Sequence, residues 1–311
     1  MLTDIGLSLL GHIATSINNI VGVLLGKGKH SNQIVSSGDL DKTGRVASKA
    51  TSIKVLYKDE KSSTIFVLYE KLFAHSLWRS QEFSLFMNKM KFIAKPVLDF
   101  GCGDGSFASV IFSDIEYGAD IDEEALSIAK QYKIYAKTIL IPAATYRLSI
   151  ETETIGSVYC NSVLEHVSNL DFSLSEIHRI LRPDGIFMFT VPVKNFTEHL
   201  TKYFGSRESL RINQLFCHRN LLSKDEWVCN LREQGFYVVS ITEYQPSWFT
   251  FIYRLLFMSG LGRLSQAFIL KYWQYFKEMV INAVYLSITN TTNGGNIFVV
   301  AQKMRNNNLI V

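Results

Sequence analysis

Three glycines at alternate positions constrain the fold of this chain more than any other sequence feature. They are Gly101, Gly103 and Gly105, and they follow a short apolar run that ends at Asp99. Glycine adopts positive φ readily, and its backbone can pass close beside a ligand. In doubly wound sheets, ligands bind outside the carboxyl ends of the strands. The segment Val97–Phe107 therefore predicts a strand, a ligand-binding turn and the start of a helix.

The hydrophobic period changes repeatedly along the chain, which predicts strands that alternate with helices. Short apolar runs are typical of buried strands, and apolar residues three or four positions apart are typical of helices. This alternation indicates an α/β fold with a mostly parallel sheet. The predicted strands are 96–100, 117–120, 137–141, 157–160, 186–191, 236–242 and 296–302, and the predicted helices are 62–94, 106–113, 123–132, 170–181, 224–234 and much of 246–288.

Composition and charge exclude several classes of protein. The chain has 311 residues, of which 47% are hydrophobic, and this is enough apolar material for a buried core. Its net charge of +4 is too small to indicate a nucleic-acid partner. The four cysteines form no CxxC pair, so the sequence indicates neither a disulfide scaffold nor a zinc ribbon. We expect reducing, cytoplasmic surroundings.

The first 60 residues differ in composition from the rest, and we expect 1–60 to be an appendage of one large domain, 61–311. Apolar residues recur every three or four positions from Ile5 to Leu24, which favours an amphipathic helix; a membrane span and a disordered tail are the alternatives. Residues 27–50 are typical of a linker, because they are rich in glycine, serine and charge. Before the last strand we expect a helical, aromatic-rich insertion at 244–290.

The glycine turn by itself leaves more than one kind of site open. A tight structural turn needs no ligand at all. The dinucleotide fingerprint GxGxxG of an NAD-dependent oxidoreductase requires its third glycine where this chain has Ser106. The pattern here is D-x-G-x-G-x-G, and Asp120 ends the second predicted strand, 21 residues after Asp99. A carboxylate at that point can accept hydrogen bonds from both hydroxyls of a ribose.

Four motifs, in this order, resemble a known family. They are Val97–Phe107, Gly-Ala-Asp-Ile-Asp at 118–122, Ser-Val-Leu-Glu-His-Val at 162–167, and Glu-Ile-His-Arg-Ile-Leu-Arg-Pro-Asp-Gly at 176–185. Together they resemble a class I S-adenosylmethionine-dependent methyltransferase, within it most closely the type 11 methyltransferase domain. The resemblance implies a Rossmann-like sheet of seven mostly parallel strands, with the strand at 296–302 antiparallel. It also implies S-adenosylmethionine as the cofactor.

The resemblance assigns cofactor-binding roles to residues that match the family motifs. Asp99 and the backbone of the glycine turn would hold the methionine portion, Asp120 the ribose, and Ile121 the adenine. Asn161 and Ser162 would border the sulfonium. The implied set is Asp99, Gly101, Cys102, Gly103, Gly105, Asp120, Ile121, Asn161 and Ser162. The chain has Ile-Pro-Ala-Ala at 141–144 in place of the family's acidic residue near the adenine, where Thr145 or a backbone amide could substitute.

Two adjacent residues are candidates for the catalytic machinery. His166 follows the fourth predicted strand, and its ordinary pKa suits a general base for a hydroxyl acceptor. Glu165 can orient the imidazole or accept a proton itself. The pair can equally cap and pack a strand–helix junction. A metal ion beside Glu165 and His166 would need a further ligand upstream of them, and this chain has Ser162 there. We therefore expect no metal site.

The insertion contributes the last expectation from the sequence. Residues 244–277 contain eleven aromatic and four basic side chains and no acidic one. This composition fits an interfacial membrane helix, and it also fits a lid over the substrate or a dimer surface. We therefore expect a methyltransferase for a small, apolar or lipid-linked acceptor, with O-methylation favoured and with contact at the inner membrane face as one option. An NAD-dependent oxidoreductase and a noncatalytic S-adenosylmethionine-binding protein are the alternatives, and the oligomeric state stays open.

Overall fold

The computed structural model describes residues 73–142, 147–258, 283–289 and 291–305. The helices are α1 (Phe73–Met87), α2 (Ser106–Ile111), α3 (Glu123–Ala129), α4 (Leu170–Ile180), α5 (Lys194–Phe204), α6 (Ser206–Leu215), α7 (Lys224–Glu233) and α8 (Ser247–Met258). The strands are β1 (Val97–Phe100), β2 (Ile115–Asp120), β3 (Tyr135–Leu140), β4 (Ile155–Asn161), β5 (Leu181–Pro192), β6 (Phe236–Tyr244) and β7 (Asn296–Lys303).

The seven strands form one sheet in the order β3-β2-β1-β4-β5-β7-β6. The first five strands run parallel, and β7 lies antiparallel between β5 and β6. Both the mixed α/β sheet and the antiparallel last strand were predicted, and both are confirmed. The strand order reverses between β1 and β4, because β1 pairs with β2 on one side and with β4 on the other. Such a switch point opens a crevice at the carboxyl ends of the strands.

Two groups of buried residues cover the two faces of the sheet. On one face, α1 supplies Phe83 and Phe86, and the Phe86 ring lies 4.4 Å from that of Tyr159 on β4. On the other face, Trp227 of α7 is fully buried and packs 5.4 Å from the ring of Phe189 on β5. Trp227 thus anchors α7 against the sheet.

Two helices between β5 and β6 were missed by the sequence analysis. The buried apolar residues are only Phe196 and Leu200 in α5, and only Ile212 in α6. So few apolar positions give a weak periodic signal, because most of each helix faces solvent. Within the described residues, the helix predicted over 62–94 ends at Met87, and a 3-10 turn at Met90–Phe92 follows it.

The described part of the insertion packs against the rest of the protein. Trp248, Phe249 and Tyr253 of α8 are buried in the same core as α1. Arg254 pairs with Glu208 of α6, with its guanidinium over the ring of Phe204. In the ranges that the structure describes, no helix combines the length and the apolar character needed to cross a bilayer. The predicted N-terminal helix and linker, and residues 259–282 of the insertion, lie outside the described residues.

Candidate functional site

The glycine turn connects β1 to α2 in left-handed backbone conformations that favour glycine. The φ angles are +76° at Gly101, +52° at Gly103 and +77° at Gly105. A Cβ on Gly101 would lie 2.4 Å from a methyl group of Val163, whereas a Cβ on Gly103 would meet no atom of the described residues within 4 Å. Gly103 therefore exposes its backbone to open space, as a turn that receives a ligand requires.

Asp120 fixes this turn from the neighbouring strand. Its Oδ2 accepts a hydrogen bond of 2.7 Å from the Gly103 amide, and its Oδ1 accepts one of 3.0 Å from the Asp122 amide. The carboxyl ends of β1 and β2 are thus joined by a side chain, at the place where the sequence predicted a ribose acceptor. Asp122 caps α3 by accepting hydrogen bonds from the amides of Glu124 and Ala125.

Asp99 lies at the end of β1 and is almost completely buried. Burial raises its pKa to about 7, while a 2.7 Å hydrogen bond from the Tyr135 hydroxyl opposes that shift and the charge of Asp120 adds to it. Asp99 therefore changes its protonation near neutral pH. Tyr135, on β3, was missed by the sequence analysis because only the sheet order brings β3 to this place.

A cavity of about 650 Å³ lies over the carboxyl ends of β1, β2 and β4. Ile121 lines it and is 61% exposed. Gly105 does not line the cavity, and a Cβ there would lie 2.9 Å from the Tyr135 ring, so this glycine serves the packing of the turn. Of the predicted site residues, the cavity wall contains Asp99, Gly101, Cys102, Gly103, Asp120, Ile121, Asn161, Ser162 and His166.

The turn at the end of β4 brings two polar side chains into this wall. Ser162 has a φ of +53°, an uncommon conformation for a residue with a side chain, and such strain is often found at functional sites. Its amide donates to the carbonyl and the hydroxyl oxygen of Thr190 on β5. The Thr190 hydroxyl in turn donates a 2.6 Å hydrogen bond to Asn161 Oδ1. Neighbouring strands thereby hold both residues in fixed orientations.

Helix α1 supplies two site residues that the sequence analysis did not find. Arg79 lines the cavity and donates a 3.0 Å hydrogen bond to Ser162 Oγ. Glu82, one turn later, is fully buried. Its carboxylate accepts hydrogen bonds from Trp78 Nε1, Arg79 Nη1, Asn161 Nδ2, Ser162 Oγ and the Tyr244 hydroxyl. In the sequence, Arg79 and Glu82 are marked only as polar residues at helical spacing within an apolar stretch. That pattern does not specify which residues they contact.

Glu165 and His166 lie together after β4, and only His166 also lines the large cavity. The imidazole of His166 lines the large cavity, and its Nδ1 lies 3.3 Å from the Cys217 carbonyl oxygen. A carbonyl can only accept, so Nδ1 carries the proton and Nε2 keeps its lone pair. Burial lowers the pKa of His166 below its ordinary value. Glu165 Oε1 lies 3.6 Å from Nε2, and burial raises the pKa of Glu165 to about 8.

The comparisons with known proteins agree with this geometry. Residues 98–189 match the model of a methyltransferase domain. A ubiquinone biosynthesis O-methyltransferase of Photobacterium profundum is 26% identical over 124 residues, which are 38% of this chain and 52% of that protein. An uncharacterized methyltransferase of Bacillus subtilis is 28% identical over 148 residues, 46% of this chain and 60% of the relative. The chain thus spans about half the length of these relatives.

Among solved structures, an S-adenosylmethionine-dependent methyltransferase of Thermotoga maritima shares the fold with a TM-score of 0.50 at 15% identity, covering 78% of this chain and 98% of that one. The fold, the switch-point cavity and the matched segment identify a class I S-adenosylmethionine-dependent methyltransferase domain of the type 11 kind. S-adenosylmethionine is the cofactor of this class. The residues present fit it, since the open backbone at Gly103 and the carboxylates of Asp99 and Asp120 suit a ligand with a cationic and a ribose portion.

We predict that Glu82→Gln destabilises the protein by about 3–5 kcal/mol. The variant removes the charge that pairs with Arg79, and the amide nitrogen of the new glutamine, itself a donor, would face the donors that now bind the carboxylate. The free energy of unfolding in urea measures this loss. The matched control is Glu226→Gln on α7, whose partner Lys194 is exposed; we expect at most about 1 kcal/mol there. Equal losses in the two variants would show that the Glu82 contacts contribute no more than a surface pair.

Proposed function

We propose that this protein is an enzyme that transfers a methyl group from S-adenosylmethionine to a small-molecule acceptor, with a hydroxyl oxygen as the favoured methyl-accepting atom. The observation that carries the proposal is the switch-point cavity, where the open Gly103 backbone lies between Asp99 and Asp120. The cofactor, when bound, supplies an activated methyl group on a sulfonium centre. The protein's own task is then to bind, orient and exclude water.

Asp99 and Asp120 have separate roles in this proposal. Asp99 and the backbone of Gly101–Gly103 hold the methionine portion, which carries a cationic amino group. Asp120 holds the ribose while it fixes the Gly103 amide, and Ile121 covers the adenine. Asn161 and Ser162 border the methyl-bearing end, where the contacts to Glu82 and Thr190 hold them in place.

His166 acts as the general base in this proposal. Its Nδ1–H donates to the Cys217 carbonyl, so Nε2 is free to accept the proton of an acceptor hydroxyl. Protonation creates a cation 3.6 Å from Glu165 Oε1, and the partial negative charge of that carboxyl oxygen favours it. The Photobacterium relative is named an O-methyltransferase, which also favours oxygen as the accepting atom.

We expect isothermal titration calorimetry to show binding of S-adenosylmethionine and of its demethylated product. Binding should strengthen from about pH 6 to about pH 8, because Asp99, whose pKa is raised to about 7, becomes a carboxylate that attracts the cationic amino group. Asp120→Ala should weaken binding by roughly 1–3 kcal/mol, because charge-assisted hydrogen bonds to the ribose are lost.

Asp122→Ala is the matched control, since Asp122 caps α3 and does not line the cavity. We expect it to lower the stability by about 1 kcal/mol and to leave the affinity for the cofactor unchanged. No binding of S-adenosylmethionine by the intact protein would overturn the proposed function. Binding of NAD in its place would indicate an oxidoreductase, and binding without any turnover would indicate a noncatalytic binding protein.

We expect His166→Ala to lower kcat about 100-fold while the cofactor affinity changes little, because general-base catalysis contributes to the reaction and not to cofactor binding. In the wild type, kcat should fall at acid pH as His166 becomes protonated, and this acid limb should be absent in the variant. Turnover is measured as label transferred from the cofactor to the small-molecule fraction of a cell extract. His199→Gln, a half-buried histidine outside both cavities, is the control. Wild-type kcat in His166→Ala would exclude this role.

We further propose that the acceptor is apolar or lipid-linked and that the protein contacts the inner face of the membrane at its periphery. The basis is the sequence of 244–277, with its aromatic and basic side chains. Helix α8 is the described half of this segment, and its side chains of Trp248, Phe249 and Tyr253 are buried in the core. The residues after α8 would therefore make the membrane contact. Leu210 on α6 and Leu255 on α8, on two helices linked by the Arg254–Glu208 pair, are exposed.

We expect the protein to float with anionic liposomes at low salt and to dissociate at high salt, because salt screens basic side chains such as Arg263, Lys271 and Lys277. The double variant Trp273→Ala/Phe276→Ala should float less, and neutral liposomes are the control for charge. Protein that remains unbound with anionic liposomes at low salt would favour a lid over the substrate.

A further inference from the structure

A second cavity, of about 170 Å³, adjoins the large one. The two cavities share Arg79, Ser162 and His166 as their common border. The remaining wall of the small cavity comes from α1, from the segment after β4, from α8 and from the residues that follow α6. It consists of His75, Trp78, Glu165, Phe216, His218 and Tyr253. The small cavity thus opens toward the place where the proposed function puts the methyl group.

Most of this wall is aromatic, and the rings pack against one another. The centroids of Trp78 and Tyr253 lie 4.9 Å apart, and those of Phe216 and His218 lie 5.6 Å apart. The ring of His166 stacks on that of His218 at 5.6 Å, with an angle of 29° between the planes. Such walls offer both ring faces and ring edges, which suit another aromatic ring.

The imidazoles in this wall are uncharged at neutral pH. Burial lowers the pKa of His75 and that of His218 to about 4. Arg79 is the charged group at the border, and its guanidinium is already paired with Glu82. The small cavity is therefore a neutral aromatic space, which does not favour an acceptor with a large net charge.

Two polar atoms at this cavity, Glu165 Oε2 and His75 Nδ1, are buried and have no hydrogen-bond partner among the residues that the structure describes. Buried polar atoms in folded proteins are almost always hydrogen-bonded, so two unsatisfied atoms at one cavity call for a ligand that pairs with them. The Glu165 side chain is 3% exposed. Because burial raises the pKa of Glu165 to about 8, its carboxyl group can donate as well as accept a hydrogen bond at neutral pH.

The volume limits what can enter. An apolar cavity of roughly 150 Å³ is known to hold one benzene molecule. We propose that the small cavity is the acceptor subsite and that it binds a single hydroxylated aromatic ring, a phenol or a catechol, with a ring hydroxyl on Glu165. This inference rests on the proposed function, because the methyl-accepting oxygen must reach the border formed by Arg79, Ser162 and His166.

Binding of simple probes tests the subsite without turnover. Saturation-transfer NMR is recorded with phenol, catechol and cyclohexanol, the last being a non-aromatic alcohol of similar size. We expect the two aromatic probes to bind at least tenfold more tightly than cyclohexanol. Saturating S-adenosylhomocysteine should leave this binding intact, because the two ligands occupy different cavities. Displacement of the probes by S-adenosylhomocysteine would place them in the large cavity and overturn the proposal.

Glu165→Leu removes the unpaired carboxyl group while it preserves an apolar volume. We expect at least a tenfold loss of catechol affinity with unchanged affinity for S-adenosylhomocysteine and no decrease in melting temperature. The matched control is Glu198→Leu on the exposed face of α5, which should leave catechol binding unchanged. Wild-type catechol affinity in Glu165→Leu would overturn the proposal.

The failures of the two proposals are distinguishable. Binding of S-adenosylhomocysteine without any preference for the aromatic probes would overturn the phenol subsite and leave the methyltransferase function standing. Absence of S-adenosylhomocysteine binding would overturn the proposed function itself, and the acceptor subsite with it.

Discussion

The buried carboxylate of Glu82 is the interaction on which the geometry of the site depends. It lies on a helix that precedes the whole sheet in the sequence, and it connects that helix to the carboxyl ends of β4 and β6 through Asn161, Ser162 and Tyr244. A buried carboxylate is stable only when its lone pairs are satisfied, and five donors fulfil that condition here. The same contacts orient Arg79 across the border between the two cavities.

A second buried polar network holds α1 in the same position. Gln81 donates to the Ser287 hydroxyl at 2.5 Å and accepts from the amide of Gln245 at 2.9 Å, and Asn296 donates to Gln245 at 2.6 Å. These bonds connect α1 to the end of β6, to the described segment at 283–289 and to the start of β7. Two adjacent residues of one helix, 81 and 82, thus fix both the site and the two ends of the insertion.

The sequence predicted a mostly parallel α/β sheet from its hydrophobic period, and it predicted most of the large cavity through the resemblance of its motifs to a known family. A strand followed by D-x-G-x-G-x-G places Asp99 and Gly103 at the carboxyl end of β1 wherever the other strands lie. Asp120 and Asn161 end their own strands in the same way. Helices α5 and α6 were missed because they bury few apolar residues. Gly105 was assigned to the cofactor, whereas it packs on Tyr135, since equal spacing cannot distinguish a glycine that faces a cavity from one that faces a ring.

The sequence by itself determined the parallel sheet, the left-handed glycine turn and the row of polar residues at the strand ends, because hydrophobic period and backbone sterics act over a few neighbouring residues. Only the tertiary structure decided that Arg79 and Glu82 enter the site, that Tyr135 donates to Asp99, and that Glu165 faces an aromatic cavity. These contacts join residues 36 to 162 positions apart in the chain. They arise from how helices and strands dock on one another, and no local pattern encodes that docking.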